Sequence, residues 1–212
     1  MTSSTHIARA FYNRPTLQVA RDLLGKKLVH NQNGQRTSGI ITETEAYCGE
    51  EDLGCHAKAG RTARTEMLYG KAGYAYVYFT YGMHWLFNCV TRPQGTPEAV
   101  LIRAIEPTDG LAFIAQRRGS QPQRLWTDGP AKLTQALGID GNHNGIDLTS
   151  QNSEIYLEDA LDIGDERVTT SPRIGLYSVP EPWKSIAWRF QADLSGIMNI
   201  KNSLFGGTYE PA

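Results

Sequence analysis

Glu43 and Glu45 are spaced i, i+2 in the segment Gly39–Tyr47. On an extended strand this spacing turns two carboxylates to the same face, with Ile41 and Tyr47 beside them. Such a pair can be an acid–base dyad, a metal pair, or one catalytic and one structural group. It can equally be two solvated side chains on an edge strand. Arg103 bears on the choice. It interrupts the apolar run EAVLIRAI (Glu98–Ile105), with Leu101 and Ile105 on its own face by period 2. An arginine in such a strand needs an acidic or hydrogen-bonding partner. Glu45 or Glu43 supplies one if the strands are neighbours, and a purely structural ion pair accounts for this as well as a catalytic one does.

Five tyrosines, Tyr69, Tyr74, Tyr76, Tyr78 and Tyr81, fall within thirteen residues. Tyrosine favours strands, so packing against a core explains most of them. Tyr81 differs, because Tyr81-Gly82-Met83 reads as a hairpin tip. An exposed aromatic there, next to a basic loop, suits stacking on nucleobases or wedging between them. Cys48, Cys55, His56 and Cys89 lack Cys-x-x-Cys or finger-like spacing, so they read as packing residues rather than zinc ligands. No phosphate loop, Gly-x-Gly-x-x-Gly or Gly-x-Ser-x-Gly motif is present.

The elements that must hold these residues follow from periodicity. Phe11–Gly25 is predicted as a helix, with Asn13 as cap, Pro15 in the first turn and Gly25 as stop. Its Leu17, Ala20 and Leu24 share one face, flanked by Val19 and Leu23. Residues 26–47 form two strands around Asn31-Gln32-Asn33-Gly34. Residues 48–73 form a long, basic, irregular segment, a type that is usually functional or disordered. Gly73–Arg92 is a β-hairpin, with Tyr74, Tyr76 and Tyr78 on one face and His84, Leu86, Asn88 and Val90 alternating on the return. Glu98–Ile105 is a strand. Thr108–Arg118 is a helix capped by Thr108 or Asp109, and Asp128-Gly-Pro130 opens another that ends at Gly138. Residues 139–153 form a loop, and strands are expected near 154–158, 172–177 and 187–192. This order argues an α+β fold, mostly antiparallel, in a single domain over 1–212.

Hydrophobic residues make up 40% of the 212, enough for a core, and no stretch approaches the ~18–20 apolar residues of a membrane span. Three cysteines and no basic-then-apolar leader in Met1–Ala10 point to a reducing, intracellular setting. Net charge is -1, but residues 56–132 carry ten basic against five acidic side chains, and residues 133–212 carry five against eleven. A near-neutral chain can thus present a basic face to a polyanion, although the fold can also disperse that excess.

Taken in order, ETEAY (Glu43–Tyr47), Cys55-His56-Ala57, YVYFTYGM (Tyr76–Met83), Asn88, VLIRAIEP (Val100–Pro107) and GPAKLTQALGI (Gly129–Ile139) give the string a specific likeness. It resembles the alkyladenine (3-methyladenine) DNA glycosylase family, of the non-helix-hairpin-helix type, over most of residues 15–140 and more loosely from 150 onward. The resemblance implies one compact domain with a curved antiparallel sheet and a protruding hairpin. It also implies base-excision repair by a monofunctional enzyme that flips an alkylated or deaminated purine from duplex DNA and hydrolyses its N-glycosidic bond, leaving an abasic site. By motif position, Glu45 corresponds to the water-activating base and Arg103 to the residue holding it. Tyr47, His56 and Tyr78 correspond to pocket walls. Asn88 corresponds to a group crowding a guanine's exocyclic amine, and Tyr81, with Met83, to the intercalating wedge.

The chemistry agrees with that implication. The sugar–base bond is buried in the stack, so the target nucleotide must be extruded at a few kcal/mol. Stacking, at ~1–3 kcal/mol per base, can offset this. An N3- or N7-alkylated purine is already cationic and leaves without an acid, so one carboxylate suffices and no metal or cofactor is expected. No lysine is placed as a Schiff-base nucleophile, which favours hydrolysis over lyase chemistry. The expected partner is damaged duplex DNA, bound by a monomer without membrane attachment inside the cell, which for a bacterial protein means the cytoplasm at the nucleoid. Two other readings stand beside this one: a non-catalytic nucleic-acid-binding domain with a tyrosine platform, and a hydrolase of free nucleosides.

Overall fold

The computed structural model describes residues 6–195; both ends of the expected 1–212 domain lie outside the described residues. The order of elements is α1 (Arg9–Tyr12), α2 (Thr16–Asp22), β1 (Lys27–Gln32), β2 (Gln35–Cys48), β3 (Ala75–Thr80), β4 (His84–Thr91), β5 (Glu98–Asp109), α3 (Leu111–Arg118), α4 (Pro130–Leu137), β6 (Ile155–Glu158), β7 (Val168–Ser171) and β8 (Arg189–Ala192). The eight strands form one sheet in the order β3-β4-β5-β2-β1-β6, with β8 joining β2 to β7, and all the pairings are antiparallel. This is the expected α+β architecture.

The fourteen-residue β2 is the axis of the sheet. Along one edge it meets β5, and along the other it meets first β1 and then β8. Asn33 and Gly34, at φ 53° and 78°, close the β1–β2 hairpin in the positive-φ conformation that a tight two-residue turn requires. The core lies on one face of the sheet. There α2 (Val19, Ala20) with Leu23 and Leu24, and α4 (Leu133, Ala136, Leu137), cover Phe87, Val100, Ile102 and Ile41.

Several elements depart from the sequence-based expectation. The helix predicted over Phe11–Gly25 is two helices, because Pro15 has no N–H for a bond to the Phe11 carbonyl. The Arg14 side chain donates to that carbonyl instead, at 2.7 Å. Leu17 is exposed, since Thr16, Val19, Ala20 and Leu23 form the inward stripe. Thr108 and Asp109 do not cap α3. They extend β5, where Asp109 accepts a hydrogen bond from Ser38, and Gly110 at φ 71° makes the turn into the helix. No strand covers 172–177; β7 ends at Ser171 and a turn-rich segment follows, held by a buried arginine described below. The irregular segment 48–73 is ordered by two short 3-10 turns, His56–Ala59 and Glu66–Tyr69.

One correction concerns the carboxylate strand itself. Ile41 does not share a face with Glu45 and Tyr47, nor Ile105 with Leu101; both isoleucines are in the main core. The β2–β5 ladder shifts register twice in succession, pairing Ile41 with Ile105, Glu43 with Ala104 and Thr44 with Ile102. Thr42 is the extra residue on β2 and Arg103 the extra residue on β5. These offset bulges change the phase of both strands at the same level, which is how a bulge re-aims side chains.

Candidate active site

On the face of the sheet away from the main core, four strands contribute alternate residues to one surface. They are Tyr76 and Tyr78 from β3, Leu86 and Asn88 from β4, Ala99, Leu101 and Arg103 from β5, and Tyr47 from β2. The register aligns them, pairing Tyr76 with Asn88, Asn88 with Leu101, and Leu101 with Glu45. Together with His56, the N-terminal residues of α4 (Pro130, Ala131) and the segment 174–176, they line a cavity of about 280 Å³. That is close to the lower end of small-ligand pockets and fits one ring system rather than a dinucleotide.

Glu45 lies beneath this cavity with no exposed surface. Tyr47, Arg103 and Ile174 line the cavity and surround its carboxylate. The Ile174 backbone N–H donates to Oε1 at 2.7 Å and the Tyr47 hydroxyl to Oε2 at 2.8 Å, while Arg103 Nη1 lies 3.3 Å from Oε2. Burial pushes the Glu45 carboxyl up. Arg103, the Ile174 N–H and the Tyr47 hydroxyl pull it back, and the balance stays above the ordinary glutamate value. Glu43 is held differently. Its Oε1 accepts from Arg103 Nε at 2.8 Å and from Arg189 Nη1, on β8, at 2.9 Å. Arg103 therefore bridges both carboxylates from its bulge.

The aromatic wall is knit together by ring contacts. The His56 ring meets Tyr78 edge to face at 4.5 Å between centroids, its Nδ1 lies 3.0 Å from the Tyr76 hydroxyl, and Tyr76 and Tyr78 are 5.3 Å apart. Burial, reinforced by the nearby Arg64 and Lys58, pushes His56 down to about 4, so it is a neutral imidazole at pH 7. Burial also raises Tyr47 and Tyr78 well above the ordinary phenol value, so the wall carries no phenolate. Asn88 is buried and donates to the Tyr76 carbonyl at 3.0 Å. Tyr81 sits at the β3–β4 tip with 84% of its surface exposed, and it also forms part of the cavity rim. Its φ of 51° is uncommon for an aromatic residue and costs about 1–3 kcal/mol. Met83 is exposed on the same tip.

The structure thus brings Glu45, Arg103, Tyr47, His56, Tyr78 and Asn88 into and beneath one cavity, with Tyr81 at its rim and Met83 two residues beyond. Sequence reasoning missed the group that anchors its wall at residues 174–176. Arg173, fully buried, makes a two-pronged pair with the equally buried Asp52, Nη1 to Oδ2 at 2.5 Å and Nη2 to Oδ1 at 2.8 Å. It also donates to the Ala46 carbonyl at 3.0 Å and lies over the Tyr47 and Trp188 rings. A Cβ on Gly54 would lie 2.8 Å from Arg173 Nη2 and 2.6 Å from Leu176, so that glycine permits the close approach. This anchor delivers the Ile174 N–H to Glu45. The three cysteines are free, and burial pushes Cys48 up to about 12 and Cys55 up to about 11, so neither is a thiolate near neutrality.

Residues 10–195 match the family model described as methylpurine-DNA glycosylase (MPG). A protein of Desulfitobacterium hafniense, provisionally named as a 3-methyladenine DNA glycosylase, is 42% identical over 204 residues, covering 92% of this chain and 98% of its own. Proteins with the same provisional name from Carboxydothermus hydrogenoformans and Chlorobaculum tepidum are 45% and 46% identical. The first alignment covers 87% of this chain and 93% of the relative, the second 78% and 79%.

Proposed function

The chain belongs to the methylpurine-DNA glycosylase family, and from that premise we propose that it is a monofunctional DNA-3-methyladenine glycosylase of base-excision repair, with Glu45 as its water-activating base. The observation that carries this reading is the Glu45–Arg103 contact of 3.3 Å at the base of a cavity walled by Tyr47, Tyr78 and His56. One damaged purine enters by rotation of its nucleotide out of the duplex and stacks among the three rings. Tyr81 fills the space it leaves. Asn88 meets the purine edge and crowds an exocyclic amine. Duplex DNA lies across the hairpin tip and the basic residues beside His56, Lys58 and Arg64, and is bound by a monomer. The chain works inside the cell, at the nucleoid. Among the described residues no helix is long and apolar enough to cross a membrane.

In the reaction the C1′–N bond breaks and its electron pair leaves with the base. The oxygen of water bonds to C1′, and Glu45 takes the water's proton. The developing sugar cation is stabilised by the carboxylate, and an N-alkylated purine already carries the charge that makes it leave. Stacking of the base against Tyr47 displaces the phenol from Oε2 and frees that oxygen for water, while Arg103 and the Ile174 N–H hold the carboxylate in place. General-base assistance of this kind contributes roughly 100- to 10,000-fold. Burial that raises the Glu45 carboxyl also makes it a better proton acceptor.

The test is release of free base from methylated duplex DNA in the presence of a chelator. Release from DNA but not from free methylated nucleosides supports the glycosylase. Binding without release supports a non-catalytic tyrosine platform instead, and release from nucleosides alone supports a nucleoside hydrolase.

A further inference from the structure

We propose that Tyr177 is a second aromatic contact for DNA, stacking on the base next to the extruded nucleotide at the side of the cavity away from the hairpin. This role rests on the glycosylase reading and adds a residue to its binding surface. Among the described residues, seven large apolar side chains are exposed. Phe79, Tyr81 and Met83 belong to the β3–β4 hairpin. Leu53, Ile174 and Tyr177 border the cavity where Gly54 and residues 174–176 line it. Leu17, on α2, is the one outside these two groups. Exposed apolar side chains scattered singly need no explanation, but their gathering around one opening marks a contact surface.

The two groups stand on separate banks of the cavity. The hairpin belongs to β3 and β4, whereas the Ile174 N–H is bonded to Glu45 on β2. Register runs from Glu45 through Leu101 and Asn88 to Tyr76, so three strand spacings, about 14 Å, separate β2 from β3. The bank at 174–177 is held firmly. Arg173 is locked to Asp52 on one side of it. Gly175, at φ 85°, bends the chain, and the Val179 N–H donates to the Leu176 carbonyl at 3.1 Å, which puts Tyr177 at the corner of a closed turn. Leu176 packs against Gly54, while Tyr177 keeps 78% of its surface exposed. A turn fixed in advance loses little freedom on binding, so its contacts are retained as affinity.

A nucleotide of the damaged strand is the occupant that fits this bank. An extruded nucleotide stays tied to both neighbours by phosphodiesters, so the strand has to cross the cavity mouth. With Tyr81 filling the gap inside the duplex, the strand continuing from the extruded sugar meets the other bank. Every base offers a π-face there, which an exposed aromatic ring binds without reading sequence. A positive charge lies alongside. Lys58 Nζ donates to the Leu53 carbonyl at 2.8 Å, which sets an exposed ammonium at the edge of the apolar group. A neutral ring next to a lysine matches a base followed by its phosphate better than it matches an apolar protein face.

The test uses the full chain and a duplex carrying one tetrahydrofuran abasic analogue, which cannot be turned over. Tyr177→Ala should weaken binding by roughly 5- to 150-fold, the equivalent of one stacked base, with an unfolding midpoint like that of the wild type. Tyr177→Phe, which keeps the ring, should bind close to wild type. Two further duplexes replace the neighbouring nucleotide, on the 5′ or the 3′ side of the first analogue, by a second abasic analogue. On one of them the difference between wild type and Tyr177→Ala should vanish, because the base that the ring contacts has been removed. Equal binding by wild type and Tyr177→Ala, or a difference that persists on both of these duplexes, overturns the contact while leaving the glycosylase reading intact. A wild type that neither binds the abasic duplex nor releases base from methylated DNA overturns that reading, and the Tyr177 contact with it.

Discussion

The backbone N–H of Ile174 donates to Glu45 Oε1 at 2.7 Å across 129 residues of sequence. The bond exists because Arg173, the preceding residue, is locked to Asp52 in the interior. A carboxylate with no exposed surface therefore depends for its orientation on an ion pair that never touches the cavity. Asp52→Asn should keep the side-chain shape while removing the charge that holds Arg173. Leaving a buried arginine without its carboxylate costs ~3–5 kcal/mol of stability. It should also slow base release in the folded variant and move the acid limb of its pH profile upward, because the Ile174 hydrogen bond lowers the Glu45 carboxyl. A loss of stability with an unchanged pH profile would mean that the pair supports the fold alone.

Tyr81 should be separable from folding. With 84% of its surface exposed it contributes nothing to the core, so Tyr81→Ala should leave the unfolding midpoint within a few degrees. Its loss should weaken capture of the extruded state by roughly 5- to 150-fold, the equivalent of one stacking contact. Fluorescence of a 2-aminopurine beside the lesion reports that capture. Wild-type capture by the variant would remove Tyr81 as the wedge.

Asn88 is fixed by its bond to the Tyr76 carbonyl, so it presents a rigid edge to any purine among the rings. Asn88→Gly should release undamaged guanine above background, measured by chromatography of free base from unmodified duplex. Background-level release would show that selectivity is set elsewhere.

Stability should fall in mild acid. His56 is held down to about 4 in the fold against ~6.5 unfolded, and His30 is lowered in the same direction. Between about pH 6.5 and 4 the unfolded chain binds more protons than the native one, so stability is present above that window and lost as pH falls through it. Urea midpoints measured from pH 7 to 4 should decline, and His56→Asn should flatten the slope. An unchanged slope in the variant would place the dependence on other groups.

The parts of the fold legible in the sequence were those written locally. The alternation of Tyr76 and Tyr78 against Leu86 and Asn88, around Tyr81-Gly82, gave the hairpin and the face its side chains share. The phase change at Thr42 and Arg103 was not legible, because a bulge belongs to the pairing of two strands and neither strand alone records it. Period 2 therefore placed Ile41 beside Glu45, whereas the structure buries it in the core. The Asp52–Arg173 pair was invisible for a related reason, since its partners are 121 residues apart and Arg173 sits in a turn-rich stretch without periodicity. Its one signal was an arginine between Pro172 and Ile174, which composition alone cannot distinguish from a solvated loop residue.

Glu45 and Glu43 share Arg103, but only Glu45 also holds the Tyr47 hydroxyl and the Ile174 N–H, whereas Glu43 is taken up by Arg103 and Arg189. On the mechanism proposed here, that division assigns the base to Glu45 and a structural counter-charge to Glu43. The most direct measurement is the single-turnover rate of base release from one methylated-purine duplex by wild type, Glu45→Gln and Glu43→Gln, with lesion-DNA binding measured alongside. Glu45→Gln should bind normally and release at least ~100-fold more slowly, while Glu43→Gln should lose far less rate and show its cost in stability. Near-normal release by Glu45→Gln would contradict the account.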